Sequence, residues 1–208
     1  MLKLNRRAMI ALAAAATAAM TPALAEDAAT PAADLGDFSM GAADAKVKIV
    51  EYASFTCPHC ATFHENVFGA LKKNYIDTGK VHFTLREVYF DRYGLWAAMV
   101  ARCGGDMRYF GIHDMLFKKQ QEWADPAQSP EAVISKMRNI GLAAGLDDAA
   151  LDACLNDQAN AEAMIARSET NMAADEVKGT PTIIVNGTKY SNMTYDELAA
   201  ILDAELAK

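Results

Sequence analysis

Cys57-Pro58-His59-Cys60 stands between a run that reads as a strand and a run that reads as a helix. Paired cysteines at that junction restrict the chain to a few chemistries: a redox dithiol, a zinc site or a haem attachment. Haem attachment requires a His directly after the second Cys, and Ala61 follows here. A structural zinc site needs two further ligands. His64, His82, His113, Cys103 and Cys154 are available, but they form no second Cys-x-x-Cys and no His-x-x-x-His knuckle. Zinc remains the minor alternative, and a dithiol that opens and closes as a disulfide is the main reading.

The flanks supply the geometry. Lys46 to Phe55 carries Val47, Ile49, Tyr52 and Phe55, the β-branched and aromatic bias of a largely buried strand. From Cys57 the apolar residues Phe63, Val67, Phe68, Leu71 and Tyr75 recur at three- and four-residue steps, which predicts a helix closed by Gly79. Cys57 then lies at the helix N-terminal edge, where unpaired N–H groups and the macrodipole favour a thiolate, and Pro58 fits the first turn. The dipole supplies at most about 2 kcal/mol, or about 1.5 pKa units, so His59 and direct N–H bonds to sulfur must supply any further shift. Cys60, one turn in, is expected to be buried and less acidic. Cys57 is therefore the nucleophile and Cys60 the resolving partner.

Met1 to Ala25 has Lys3, Arg6 and Arg7, an apolar run from Ala8 to Met20, and Ala23-Leu24-Ala25 before Glu26. This pattern predicts a signal peptide over 1–25, exported by the general secretion route, with an apolar run too short to span a bilayer. Its removal leaves roughly 180 residues with a charge three units more negative than the −7 of the whole sequence. Such an acidic chain without a basic stripe is a poor partner for nucleic acid. A core of this size does not need disulfides to fold, so the cysteines call for a chemical explanation. Residues 26–40, rich in Ala, Asp and Pro, read as a flexible leader.

After the first helix, Lys80 to Phe90 alternates as a second strand, and a strand, helix and strand of this spacing predict parallel pairing. Helical patterns then cover Leu95 to Arg102, Arg108 to Trp123, Pro130 to Ile140, Asp147 to Leu155 and Ala161 to Glu176. The chain closes with Thr180-Pro181, a strand over Thr182 to Val185, an Asn186-Gly187 turn of the type I′ kind, a short strand at Lys189 and Tyr190, and a last helix that Thr194 and Glu197 would open as a capping box. The methionines at 99, 107, 115, 137, 164 and 172 are expected to fill the core, and His64, His82 and His113 to be surface or packed histidines.

This order of elements resembles the DsbA family of bacterial periplasmic thiol-disulfide oxidoreductases, and the similarity extends over nearly all of the chain beyond the signal. The implied fold class is α/β: a thioredoxin fold over 41–208 with an inserted α-helical domain at about 92–165. Cys57, Pro58, His59 and Cys60 match that family's dithiol motif. Pro181 matches its cis-proline, which faces the dithiol, and Thr180 before it would pair its backbone with an extended substrate. Glu51, six residues before Cys57, matches a buried acid beneath the dithiol that would act as proton acceptor for Cys60; the competing reading is an exposed edge carboxylate. Cys103 and Cys154 could be buried free thiols or a second disulfide, as some members carry, and the oxidising compartment favours the disulfide.

The resemblance further implies a monomeric oxidant of folding secreted proteins with cysteine thiols, located in the periplasm, reoxidised by a DsbB-like membrane partner and needing no cofactor. Thr180 leaves the redox direction open toward an isomerase or reductase. A non-catalytic module holding zinc or copper is the alternative from another class.

Overall fold

The computed structural model describes residues 35–208, so the expected signal peptide and residues 26–34 of the expected leader lie outside the described residues. The strands are β1 (Phe38–Met40), β2 (Val47–Ala53), β3 (Val81–Glu87), β4 (Thr182–Val185) and β5 (Thr188–Tyr190), in the order β1-β3-β2-β4-β5. β2 and β3 run parallel, with Glu51 opposite Leu85, as the strand-helix-strand spacing predicts. β4 pairs antiparallel with β2, and β5 with β4. Asn186 and Gly187 both have positive φ, as their two-residue turn requires.

β1 corrects the reading of 26–40 as leader. Its last three residues form an edge strand antiparallel to β3, in which Phe38 stacks on Tyr109 with ring centroids 3.7 Å apart. Three residues carry too short a pattern to register as a strand, and this one is held by side chains far along the chain. Asp37 accepts from Arg86 and from Arg167, while the Arg102 guanidinium lies 5.0 Å from the Phe38 ring.

The helix after the dithiol begins as α1 (Pro58–Phe63) and continues through a π turn (His64–Phe68), α2 (Gly69–Leu71) and a second π turn (Lys72–Ile76). Each π turn admits one extra residue. Side-chain periodicity alone did not reveal them, because Phe63, Val67, Phe68, Leu71 and Tyr75 remain buried. Gly79, at φ 74°, allows the chain to turn back into β3.

Between β3 and β4 stand α3 (Arg92–Cys103), α4 (Gly105–Lys118), α5 (Gln120–Trp123), α6 (Pro130–Ala143), α7 (Asp148–Leu155) and α8 (Gln158–Ala174). The expected insertion limit near 165 falls inside α8, a continuous helix that returns to the sheet, where the Ser168 hydroxyl donates to the Glu87 carbonyl. The last helix, α9 (Tyr195–Ala207), opens with the expected Thr194–Glu197 capping box. One apolar cluster joins one face of the sheet, through Val47, Ile49, Phe83 and Ile183, to the helical insertion, through Tyr109, Leu116, Trp123 and Met137, while Tyr52, Val88 and Val177 form a smaller cluster with Val50 and Ile184. Met99, Met137 and Met164 sit in the core, but Met107 is 95% exposed, because its place in the first turn of α4 faces away from the sheet. Among the described helices none is long and apolar enough to cross a membrane.

Candidate active site

The dithiol sits where the parallel strands end and the helix begins. Cys57 is the N-cap of α1 in extended conformation, with Pro58 in the first turn and its own carbonyl accepting from the N–H groups of Cys60 and Ala61 at 3.1 and 3.2 Å. Its side chain is half-buried, that of Cys60 is fully buried, and Pro58 and His59 are exposed. Both cysteines are free thiols.

The two sulfurs have opposite ionisation. The Cys57 thiol is lowered to about 5, chiefly by a hydrogen bond from the Cys60 thiol, with the Thr180 side chain and the backbone N–H groups of Cys60 and His59 adding to it against the cost of partial burial. His59 acts here through its backbone N–H. Cys60 is driven far up, first by giving its hydrogen bond to Cys57, then by burial and the charge of Glu51.

Across the dithiol, the Thr180–Pro181 peptide is cis. The protonated Cys57 thiol donates to the Thr180 carbonyl at 3.4 Å. The Thr180 hydroxyl is buried and has no other protein partner, so it is free to donate to an ionised sulfur. Beside it a groove of about 630 Å³ opens along His59, Lys178, Thr180, Pro181, Tyr190 and Asn192.

Glu51 lies mid-strand on β2, only 3% exposed, which removes the reading as an exposed edge carboxylate. Burial pushes its carboxyl up to about 8, and its charge acts on Cys60. The other candidates lie apart from the dithiol. Cys103 on α3 and Cys154 on α7 are placed as a disulfide, with Cα atoms 5.9 Å apart. The buried His64 ring bonds Asp114 at 2.9 Å, and His113 is enclosed by Phe55, Phe68, Phe110 and Phe117 with neither ring nitrogen partnered. His82 sits on β3, also with one ring nitrogen buried and unpartnered. Among the described residues no cluster of His, Cys, Asp and Glu has the arrangement of a metal site.

Two groups at the site escaped sequence reading. Asp91, the N-cap of α3, accepts from Tyr93 N, Gly94 N and the Thr56 hydroxyl, the last at 2.6 Å. Gln120, buried on α5, donates from Nε2 to the carbonyls of Phe55 at 2.7 Å and Cys57 at 3.0 Å. An Asp ahead of a helical run is a readable cap signal. A Gln among Lys118, Lys119, Gln121 and Glu122 carries no such mark.

The family model described as Thioredoxin matches residues 34–204. The chain belongs to the thioredoxin family. This thioredoxin-family protein is 34% identical over 171 residues to a protein-disulfide oxidoreductase of Rickettsia bellii, a match covering 82% of this chain and 64% of the relative. The chain thus spans less than two thirds of that relative's length. It is 27% identical over 178 residues to disulfide bond formation protein D of Bacillus subtilis, covering 80% of this chain and 76% of that one. Its fold matches the crystal structure of alpha-DsbA1 from Wolbachia pipientis with a TM-score of 0.76 at 24% identity, over 83% of this chain and 92% of that one. The DsbA-like thioredoxin fold with its helical insertion, expected from the order of motifs, is the fold the chain adopts.

Proposed function

We propose that this protein is a thiol:disulfide oxidoreductase that introduces disulfide bonds into secreted polypeptides through Cys57 and Cys60. The observation that carries the reading is the split between the two sulfurs, with Cys57 lowered to about 5 and Cys60 driven in the opposite direction. Stabilising the Cys57 thiolate stabilises the reduced dithiol, which makes the disulfide a stronger oxidant; about 1.4 kcal/mol corresponds to about 30 mV for this two-electron couple.

In the oxidised protein a substrate thiolate attacks the half-buried Cys57 sulfur, the Cys57–Cys60 bond breaks, and its electron pair stays on Cys60. Cys60 strongly disfavours the anion, so it takes a proton, and protonated Glu51 is the nearby buried acid able to give one. A second substrate thiolate then attacks the substrate sulfur of the mixed disulfide. Cys57 leaves as its stable thiolate, the substrate departs with a disulfide, and two electrons remain on the dithiol. Thr180 and Pro181 line the groove where the chain flanking the substrate cysteine would lie extended.

The reading places the mature protein in the periplasm as a monomer, after removal of residues 1–25, with unfolded cysteine-containing proteins as substrates and a DsbB-like membrane partner as reoxidant. The 103–154 disulfide belongs to it as a structural cross-link. The test is the equilibrium of the dithiol with glutathione together with oxidation of a reduced, unfolded protein. A potential near the oxidising end, about −120 mV, with stoichiometric disulfide transfer supports the oxidase. A potential near about −270 mV overturns it in favour of a reductant.

A further inference from the structure

The turn that carries the nucleophile is gripped from the helical insertion on two sides. On one side Asp91 Oδ2 takes the Thr56 hydroxyl at 2.6 Å while its other oxygen caps α3. α3 packs closely there: a Cβ added at Gly94 would lie 3.3 Å from Thr56 Oγ1 and 3.4 Å from Ser54 Oγ. On the other side Gln120, only 5% exposed, spans the turn by donating to the carbonyls before and at the nucleophile, Phe55 and Cys57. A buried amide that uses both N–H groups on two backbone carbonyls is a costly arrangement unless both bonds are kept.

The Cys57 carbonyl is the first acceptor of α1, already bonded by the N–H groups of Cys60 and Ala61. Gln120 adds a third donor to it. That bond offsets the negative end of the one peptide dipole in the same residue as the sulfur, and the bond to Phe55 prevents the turn from rotating. Holding the turn from both carbonyls preserves the local geometry in which the backbone N–H groups of His59 and Cys60 lower the Cys57 thiol. We infer that Gln120 is a positioning residue, through which the helical insertion holds the strand-to-helix turn and sets the reactivity of Cys57. It touches neither substrate nor the reacting sulfur. The inference rests on Cys57 being the nucleophile of the proposed reaction.

Gln120→Met keeps the length and packing of the side chain and removes both donors. The thiolate absorbance of Cys57 in Gln120→Met should titrate about one unit higher than in wild type, and the oxidising strength against glutathione should fall about tenfold. Near-ultraviolet circular dichroism reports whether the fold is kept. Gln120→Glu, which sets a carboxylate against the same two carbonyls, should shift the titration further in the same direction. A merely structural Gln120 would lower stability in both variants and leave the titration in place. In wild type labelled at glutamine nitrogen, the Gln120 side-chain amide should shift with the same midpoint as Cys57, a measurement that does not depend on the variants folding. A folded Gln120→Met with the wild-type titration, or a Gln120 amide that does not respond to Cys57 ionisation, would overturn the inference. Neither readout depends on the direction of electron flow, so a wild-type potential near the reducing end would remove the proposed oxidase without touching the role of Gln120.

Discussion

Cys57 and Cys60 are the same residue type three positions apart, and their surroundings push them in opposite directions. The consequence for stability can be signed. Below the ordinary cysteine value of about 8.5 and above about 5, the unfolded reduced chain holds a proton at Cys57 that the folded chain does not, so the reduced protein gains stability as pH rises through that window. The contribution is fully present above the unfolded value and lost as pH falls through about 5. Above the window the raised Cys60 works the other way. The oxidised protein lacks both groups. The difference between reduced and oxidised urea midpoints should therefore widen from about pH 5 to about pH 8.5, and a flat difference would contradict the Cys57 assignment. Glu51 has the opposite sign. Its folded value is raised from 4.5 to about 8, so its contribution is present below 4.5 and lost as pH rises to about 8. Glu51→Gln should remove that decline, making the oxidised protein about 2 kcal/mol more stable near pH 8.5 while slowing disulfide transfer at least tenfold, as measured by urea unfolding and stopped-flow fluorescence. The dithiol was legible from its place at a strand-to-helix junction, and Pro181 and Glu51 from their match to the positions of the family the sequence resembles. Gln120 and Asp91 were not, because their partners at 55, 56 and 57 are brought to them only by the folded insertion.

Among the elements, β1 shows how little local pattern an edge strand needs. Phe38 contributes a ring stacked on Tyr109 and a face for Arg102, while Asp37 beside it binds two arginines from β3 and α8. Arg102 also pairs with the buried Glu87, which the Tyr109 hydroxyl bonds at 2.7 Å, so the strand closes over a shared polar cluster. Phe38→Ala should cost about 2 kcal/mol, less than a fully buried Phe because the ring is only partly covered. Chemical denaturation measures it; a loss below about 0.5 kcal/mol would mean that the segment behaves as a leader after all. The π turns after α1 make the complementary point. A pattern of apolar steps tolerates an added residue per turn, so periodicity identifies the helix and its buried face but not its winding.

On the scale of the whole molecule, the 103–154 bond joins α3 to α7 across 51 positions. Closing a loop of that length restricts the unfolded chain by about 4 kcal/mol in the entropic picture. The double variant Cys103→Ser, Cys154→Ser should lose about 2–4 kcal/mol in urea unfolding, and an unchanged midpoint would count against the cross-link in solution. The sequence by itself determined the order of elements and the place of the candidate dithiol. Cys-x-x-Cys at a strand-to-helix junction, a Thr-Pro entering an Asn-Gly hairpin and a long helical run between them are local signals, and local signals survive in one dimension. Only the tertiary structure decided that Glu51 is buried, that Phe38–Met40 pairs with β3, that α8 runs unbroken past 165 and that Gln120 reaches the Phe55 and Cys57 carbonyls. Burial and hydrogen bonding between residues 35 to 130 positions apart depend on which faces pack together, and that is a property of the assembled core rather than of any stretch of chain.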